Sequence, residues 1–432
     1  MEPPIKLSHL QKVAIVHIIR GKNVFIHGSA GTGKSVSIKY AKKYLYKKYP
    51  GRIIATTAST GVSAINVGGS TIHWFSGIRT GKGRLNTLLK RIMADPECIK
   101  RWQEVDTLII DEISMISQDI FEKLDALAQI IRECPKPFGG IQLILLGDFY
   151  QLTPVEKDLN IPVKFCFESP VWSKCINHIV CLTEIFRQTD TEYKDILNRI
   201  RKGKQTISDI LTIKSRLVKS LKLSGEEINT IDSIKLFPRN KQVADENHKR
   251  LVLLSGTAVE YRAKYFGYKA LQDELRKQFQ SCDRDLIKLK IGARVMLTYN
   301  LNVEAGLCNG SLGTVVGLKD SQVIVKFDPV GTKDPDVQVI DKQKWELELY
   351  LSGTKLSASV VQIPLVLAFA ASIHKAQGLT FTKAEMDLNK CFAEHQVYVA
   401  LSRVKTLDGL FLLDNFNSDR IKVNKKVTQM FA

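Results

Sequence analysis

Eight residues near the start of the chain have the types and spacing of a phosphate-binding loop, G-x-x-x-x-G-K-S. They are Gly28, Ser29, Ala30, Gly31, Thr32, Gly33, Lys34 and Ser35. Small residues let backbone N–H groups turn toward a phosphate, and a following helix points its positive end there. We expect Lys34 to reach the β- and γ-phosphates and the Ser35 hydroxyl to hold Mg²⁺. The alternative is a chance glycine turn, but the apolar strand predicted over residues 24–26 favours a nucleotide site.

Acids and amides that suit nucleotide hydrolysis lie near this loop or follow later apolar runs. Asp111 and Glu112 end TLIIDE, where Asp111 would serve Mg²⁺ and Glu112 would orient and deprotonate water. A surface acid pair is the weaker alternative, because three apolar residues precede it. Gln151 follows IQLILLGD and could bond a γ-phosphate or simply cap a loop. Gln11 could read an adenine edge, although residue type alone favours a solvent-facing helix glutamine.

Residues 56–78 are rich in threonine, serine and glycine, which offer hydroxyl and N–H groups to a phosphate backbone. Trp74 and Phe75 could stack on a base or could be core anchors. Near the other end of the chain, Arg403 lies in a run rich in buried residue types. A buried arginine needs an anion, either a triphosphate or a structural partner, and residue type alone favours the structural partner.

The elements that must position these residues alternate between strand and helix over the first half of the chain. Strands are predicted over 52–58, 107–112 and 141–148, which indicates a doubly wound parallel sheet with ATP at its carboxyl edge. A second region begins at 182–188, with a helix expected over 207–223. Short period-two runs between 254 and 359 predict an inserted small barrel. One buried strand over 360–368 is expected to resume the parent domain.

Composition narrows the class of partner. The 432 residues carry a net charge of +19, which indicates a nucleic-acid partner more than a membrane. The eight cysteines form no C-x-x-C pair, so we expect neither a zinc site nor disulfides but core residues in a reducing compartment. No secretory or transit signal precedes the first motif, and we expect an intracellular, soluble protein of nucleus or of bacterial or virus-infected cytoplasm.

The motifs, in order, resemble those of superfamily-one DNA helicases of the Pif (petite integration frequency) type. The similarity covers Leu7 to about Leu413 and includes GSAGTGKS, DEISMI, GDFYQLTPV, FRQ, SIHKAQGLT and VYVALSRV. It also includes that family's signature between its second and third motifs, residues 116–146 with KPFGGIQLI. Thr153 and Cys308 depart from the family pattern, and neither removes a catalytic group.

This resemblance implies the architecture and the site roles. It implies two RecA-like domains, 1–185 and 186–253 with 358–432, a wedge element at about 76–93 and an SH3-like barrel within 254–357. It places Gln11 at adenine, Gly378 at the nucleotide, Gln151 at the γ-phosphate, and Arg187 and Arg403 as arginine fingers. The residues implied to touch DNA are Thr60, Gly61, His73, Phe75, His374 and Lys375.

The implied activity is ATP-dependent, Mg²⁺-dependent unwinding of DNA with 5′ to 3′ movement along single strands. The implied partners are single-stranded and forked DNA, the implied processes are replication, repair, recombination and telomere maintenance, and we expect a monomer in solution. One rival is an ATP-switched nucleic-acid-binding module that unwinds nothing. Another is a nucleoside or polynucleotide kinase, which explains the phosphate loop but neither the second domain nor the charge.

Overall fold

The chain folds into two compact units in a computed structural model, which describes residues 7–154, 164–223, 233–302, 307, 309–328, 337–351 and 354–431. The first unit is Met1–Phe186 with Leu347–Ser357, and the second is Arg187–Glu346 with Ala358–Ala432. This division differs from the predicted inserted domain, 254–357, because residues 347–357 group with the first unit.

The first unit is built around a parallel sheet. Its strands are β1 Val24–Gly28, β2 Ile54–Ala58, β3 Ser70–Thr71, β4 Thr107–Asp111, β5 Gln142–Gly147 and β6 His178–Leu182. Its helices are α1 His9–Ile19, α2 Lys34–Lys48, α3 Gly61–Asn66, α4 Ile72–Phe75, α5 Leu85–Met93, α6 Pro96–Glu104, α7 Gln118–Ile131 and α8 Pro170–Cys175. The six strands run parallel in the order β3-β2-β4-β5-β1-β6. The predicted α/β fold with a parallel sheet is confirmed.

Apolar runs explain why these strands lie in the centre. Residues of β1, β4, β5 and β6 join residues of α1 and α2 in one buried cluster that includes Ile26, Ile109 and Ile144. Strands covered on both faces are expected to be nearly continuous in hydrophobic residues. Because all strands are parallel, their carboxyl ends share one edge, which collects the residues that follow each strand.

The segment predicted as a wedge, 76–93, consists of a glycine-containing turn and α5. Leu88 and Ile92 of α5 are buried, and Arg91 donates to the carbonyl of Gly77 over 3.0 Å. Lys123 of α7 donates to the carbonyl of Gly81 over 3.1 Å. The turn and the helix are therefore fixed onto the first unit.

The second unit combines parallel and antiparallel sheets. Its helices are α9 Thr191–Arg201, α10 Ile207–Lys214, α11 Val218–Leu223, α12 Asn240–Leu253, α13 Lys269–Ser281, α14 Gln396–Leu401 and α15 Lys425–Met430. The strands that follow β6 in the chain are β7 Ile234–Phe237, β8 Val259–Arg262, β9 Lys264–Gly267, β10 Leu286–Leu289, β11 Arg294–Leu297, β12 Leu312–Leu318, β13 Gln322–Phe327, β14 Val337–Asp341, β15 Gln343–Leu351, β16 Thr354–Gln362, β17 Leu365–Leu367, β18 Ala370–Ser372, β19 Ala384–Met386 and β20 Leu410–Leu412. All of them belong to the second unit except β15 and β16, which each include residues of both units.

Four of these strands form a parallel sheet in the order β18-β7-β19-β20. Five others form an antiparallel sheet in the order β14-β13-β12-β11-β17 around a core of their own. Two smaller sheets, β10-β8 and β15-β16-β9, complete the strands of the described residues. The predicted tip of the inserted barrel, Val330 to Asp336, lies outside the described residues.

Two predicted elements are divided in the structure. The strand expected over 360–368 is split into β16 and β17 around Pro364, which has no N–H to give to a ladder. Strand β17 pairs antiparallel with β11, so the parallel sheet resumes only at β18. The helix expected over 207–223 is two helices, α10 and α11, separated where Leu217 bridges to Leu412. Four of the seven described cysteines are buried, while Cys181 is exposed.

Candidate active site

Lys34 begins α2, directly after the loop that follows β1. Its Nζ donates to the carbonyl of Gly28 over 2.8 Å and to that of Ser29 over 3.2 Å. The Thr32 hydroxyl donates to the Ser29 carbonyl over 2.9 Å, which closes the turn. The ammonium group therefore lies over the concave side of the loop, where the sequence predicts phosphates.

Gln11 is joined to this loop and does not face solvent. Its side chain is buried, and its Nε2 donates to the carbonyls of Thr32 over 3.4 Å and Gly33 over 3.3 Å. Its Oε1 accepts from the N–H of Ser8 over 2.9 Å, half of a capping box at the start of α1. Gly33 has φ +77°, and a Cβ there would lie 2.5 Å from Gln11 Nε2. The left-handed backbone at this position therefore favours glycine.

Asp111 and Glu112 lie at the carboxyl end of β4. Burial raises the pKa of Asp111, while the N–H of Glu112, 2.9 Å from its Oδ1, and the charge of Lys34 lower the pKa. The Asp111 carboxylate is thus near enough to Lys34 for the charge of the ammonium group to act on it. Glu112 has φ +52°, a left-handed conformation that costs on the order of 1–3 kcal/mol in a non-glycine residue. Such strain is concentrated at functional sites.

Gln151 is held by an acid that the sequence prediction missed. Asp148, buried just past β5, accepts from Gln151 Nε2 through Oδ2 over 3.3 Å, and Gln151 itself is buried. The N–H of Tyr150 donates to the other carboxylate oxygen over 3.2 Å. Asp148 follows an apolar strand as Asp111 does, so the same sequence signal identifies both.

Arg187 and its neighbour Gln188 contact the backbone around Ser402 in the second unit. Arg187 donates to the carbonyl of Gly378 over 2.9 Å and to that of Ser402 over 3.4 Å. Gln188 is buried, and its Nε2 donates to the carbonyls of Ser402 and Val404 over 3.1 and 3.2 Å. Gln188 was not predicted as a site residue, although it lies within the FRQ motif.

Arg403 has no exposed surface and is surrounded by acceptors of its own unit. Its Nε donates to the carbonyl of Val399 over 2.7 Å, and its Nη2 donates to the Ser402 hydroxyl over 2.6 Å. Its Nη1 lies 3.4 Å from the carbonyls of Ala376 and Leu379. The structural partner that the sequence allowed for this arginine is therefore a set of carbonyls and one hydroxyl, which we call the acceptor cage.

The residues of the first unit predicted to touch DNA follow β2 and β3. Thr60 caps α3 by accepting from the N–H of Ser63 over 3.2 Å, and Gly61 begins that helix. His73 lies in α4, where burial lowers its pKa, so its imidazole is neutral at pH 7. Phe75 is 4% exposed and its ring packs 5.2 Å from that of Trp102. The position of Phe75 is that of a core anchor and does not support stacking on a base.

His374 and Lys375 follow β18 in the second unit. Burial lowers the pKa of His374, so this imidazole is also neutral at pH 7. Lys375 forms an ion pair with Asp283. Of these two residues, only Lys375 offers a positive charge to a phosphate. To bind a phosphate, it would have to break its ion pair with Asp283.

Phe186 is a further candidate that sequence reasoning missed. Its N–H donates to the carbonyl of Gly31 over 2.9 Å, which places the residue beside the phosphate loop. The residue is 55% exposed. An exposed aromatic ring here offers a stacking surface for a base.

The donor set at the loop suits a hard divalent cation. Asp111 supplies a carboxylate and Ser35 a hydroxyl, and Mg²⁺ takes oxygen ligands while it keeps several waters. The raised pKa of Asp111 marks a buried charge that a cation would compensate. Among the described residues, no group of three or more His, Cys, Asp or Glu residues is arranged to hold a metal, and no helix there is long and apolar enough to cross a membrane.

Comparison with known proteins decides the family. The family model for PIF1-like helicase matches residues 6–214, and the one for DNA helicase Pif1, 2B domain, matches 278–318. The crystal structure of Pif1 helicase from Candida albicans shares 34% identity, with 99% of each chain covered and a TM-score of 0.76. The chain belongs to the PIF1-like helicase family.

Two further members of the family bear on the site. The ATP-dependent DNA helicase PIF1 of Emericella nidulans is 36% identical over 99% of this chain. The chain spans 63% of the length of that relative. A Pif1 helicase from Bacteroides, solved in complex with ADP-AlF3 and ssDNA, is 28% identical with a TM-score of 0.63, and 99% of this chain and 97% of that chain are covered.

Proposed function

We propose that this chain is an ATP-dependent DNA helicase that moves 5′ to 3′ on single-stranded DNA and opens duplexes ahead of it. The observation that carries the proposal is the grouping of Lys34, Asp111 and Glu112 at the carboxyl edge of the first unit's parallel sheet. Family membership supports the same activity, since the Emericella relative is named an ATP-dependent DNA helicase.

The nucleotide is proposed to lie on the loop between β1 and α2, with its phosphates replacing the carbonyl contacts of Lys34. Gln11 and the exposed ring of Phe186 flank the same loop and are proposed to hold the adenine, one by hydrogen bonds and the other by stacking. The carbonyl contacts that Gln11 now makes would weaken as its amide turns to the base. Residues 28–33 would supply backbone N–H groups.

Hydrolysis is proposed to use Glu112 as the base that orients and deprotonates water. Ser35 and Asp111 would hold Mg²⁺, which supplies charge neutralisation at the phosphates. Gln151, fixed by Asp148, is proposed to contact the γ-phosphate. A buried amide held at one end by a carboxylate has a defined orientation, which a sensor of phosphate loss requires.

Arg187 and Arg403 are proposed to stabilise the charge that develops during phosphoryl transfer. Arg187 is the better supported of the two, because its side chain is half-buried whereas that of Arg403 has no exposed surface. Arg403 would first have to give up part of its acceptor cage.

DNA contacts are proposed for Thr60, Gly61, His73, His374 and Lys375, with Phe75 supporting them from the core. The neutral imidazoles would bond or stack, while Lys375 would pair with a phosphate in place of Asp283. RecA-like folds for the two parallel sheets, an SH3-like barrel for the five-stranded sheet and a wedge role for 76–93 belong to the same proposal. Direction of movement rests on the family resemblance alone, because both polarities use the same ATP chemistry.

Partial duplexes with single-stranded tails test the proposal. With ATP and Mg²⁺, we expect a duplex with a 5′ tail to be unwound and its 3′-tailed twin to remain intact. DNA-stimulated ATP turnover should accompany unwinding. Unwinding of only the 3′-tailed duplex would overturn the polarity, and DNA-stimulated turnover without unwinding of either would favour the ATP-switched binding module.

A further inference from the structure

A strongly basic cavity lies at the edge of the first unit's sheet that is opposite to the phosphate loop. It has a volume of about 520 Å³ and is lined by residues at or just before the amino-terminal ends of strands, among them Asn23, Arg52, Asp106 and His178. The phosphate loop and the acids described above follow the carboxyl ends of the same strands. The cavity is therefore separate from the candidate active site.

Five cationic side chains line this cavity and only one carboxylate does. The cations are Lys22, Arg52, Arg132, Lys136 and Lys174, and the carboxylate is Asp106. Within the described residues none of the five forms an ion pair, since Asp106 instead accepts from the N–H of Ile53 over 2.8 Å. Five like charges beside a single carboxylate repel one another, and the arrangement favours binding of a multiply charged anion.

The two arginines are held in place by neutral acceptors, which fix their positions and leave their charge uncompensated. Arg52 donates to the Thr107 hydroxyl over 2.7 Å and to Gln142 Oε1 over 2.8 Å. Arg132 donates to the carbonyl of Gly139 over 2.8 Å through Nε and to that of Trp102 over 2.6 Å through Nη1. Neither donor set uses every N–H of the guanidinium group, so each arginine has N–H groups left for a ligand.

One wall of the cavity is the signature segment KPFGG, to which the proposed catalytic cycle gives no task. Phe138, Gly139 and Gly140 have φ values of +51°, +59° and +78°, three left-handed residues in succession. The turn is fixed by Phe138, which is buried and donates its N–H to Asp125 Oδ1 over 2.6 Å. This strained turn carries Lys136 and Gly140 to the cavity.

We propose that the cavity binds a phosphate monoester or diphosphate group, at a site distinct from the phosphate loop. A phosphate dianion offers several acceptor oxygens and matches both the arginine forks and the lysine charges, whereas one carboxylate would neutralise a single cation. The group has two sources, a free diphosphate or nucleotide and the 5′-phosphate of a DNA strand. The inference does not depend on the proposed helicase activity.

Calorimetric titration of the full chain with inorganic pyrophosphate tests the site. We expect two classes of binding, one lost in Lys34→Ala and the other weakened at least fivefold in the double variant Lys136→Gln, Lys174→Gln. Both of these lysines are exposed, so the variant should fold. A thermal unfolding midpoint equal to that of the wild type would verify this. The matched control is Lys43→Gln, Lys47→Gln, two exposed lysines of α2 that do not line the cavity and whose loss should change affinity less than twofold.

A second arm identifies the source. Oligothymidylates with and without a 5′-phosphate are compared, and a preference for the phosphorylated strand that disappears in the Lys136, Lys174 variant assigns the site to strand ends. Equal binding of both strands, with pyrophosphate binding retained, assigns it to free phosphates. A single class of pyrophosphate site, equal losses in the cavity and control variants, or equally tight binding of hexaglutamate would overturn the proposal.

Discussion

Replacement of Arg403 by alanine is expected to lower the stability of the second unit as well as the rate of ATP hydrolysis. Two short contacts of the guanidinium are 2.7 Å to the Val399 carbonyl and 2.6 Å to the Ser402 hydroxyl. A hydrogen bond from a charged donor contributes about 1.5–3 kcal/mol, so losing both should cost about 3–6 kcal/mol, before any cavity cost for a fully buried side chain. The same substitution at Arg187 should cost much less, because that side chain is half-buried.

Urea unfolding followed by circular dichroism, together with steady-state kinetics, separates the two arginines. At about 1–3 kcal/mol per molar urea, a loss of 3 kcal/mol lowers the midpoint by about 1 M or more in Arg403→Ala. Arg187→Ala should keep its midpoint within about 0.3 M and lose ~10³–10⁵ in kcat with ATP affinity nearly unchanged. Arg403→Lys, which keeps the charge but not the fork, should lie between wild type and alanine in stability. An Arg403→Ala variant with the wild-type midpoint would refute the cage as a source of stability.

Four other outcomes are expected. Lys34→Ala should abolish turnover and Glu112→Gln should bind ATP without hydrolysing it, as nucleotide-binding and phosphate-release assays would show; wild-type turnover in Glu112→Gln would remove the assignment of the base. Because burial raises the pKa of Asp111, its ionised form destabilises the nucleotide-free fold at pH 7, so Asp111→Asn should melt higher than wild type, and the difference should begin to shrink as pH falls through that raised pKa and vanish below the ordinary carboxyl pKa of the unfolded chain. Gly139→Ala should lose about 1–3 kcal/mol more than Gly140→Ala, since its Cβ would meet the Ala128 carbonyl at 2.6 Å whereas the nearest atom to the other is at 3.7 Å. Affinity for single-stranded DNA should fall with salt by a logarithmic slope of about −0.7 per neutralised phosphate, and a flat titration would contradict the charge argument.

The strands of the first unit and the residues at their ends could be predicted from sequence because both depend on local pattern. Continuous apolar runs give β1, β4 and β5, and a polar residue directly after such a run must lie at the carboxyl edge of a parallel sheet. The same rule applied to Asp148 would have found the partner of Gln151. Helix α7 also follows a local signal, because Ser117 directly before it is a favoured N-cap residue and accepts from the N–H of Ile120.

The positions that differed from prediction are set by contacts distant in sequence. Nothing between Lys214 and Val218 is a strong helix breaker, yet the helix ends there because Leu217 and Arg216 pair with Leu412, almost two hundred residues away. In the strand predicted over 360–368, Pro364 already indicated in the sequence that the strand would be interrupted. Whether Phe75 faces DNA or the core depends on Trp102 of α6, which no local spacing reveals.

Arg403 shows how one residue type serves two purposes that sequence cannot separate. An arginine finger and a structural arginine look alike in a run such as VYVALSRV, and only the acceptors around the guanidinium tell them apart. In this fold those acceptors come from 376–379 and 399–402, so Arg403 ties the SIHKAQGLT segment to the VYVALSRV segment. The contacts of this arginine therefore hold the two motif segments in register.

Features that lower the stability of the first unit indicate where its function lies. At the carboxyl edge, the half-buried carboxylate of Asp111 and the buried one of Asp148 lie at the ends of neighbouring strands, and Glu112 adopts a left-handed conformation. Each feature opposes stability, and natural folds keep such costs mainly where chemistry requires them. The opposite edge carries a second set of costs, the left-handed turn at 138–140 and five clustered cations. Since a fold selected for stability alone would have removed both, we expect each edge to serve a ligand, a nucleotide at the carboxyl edge and a phosphate group at the amino edge.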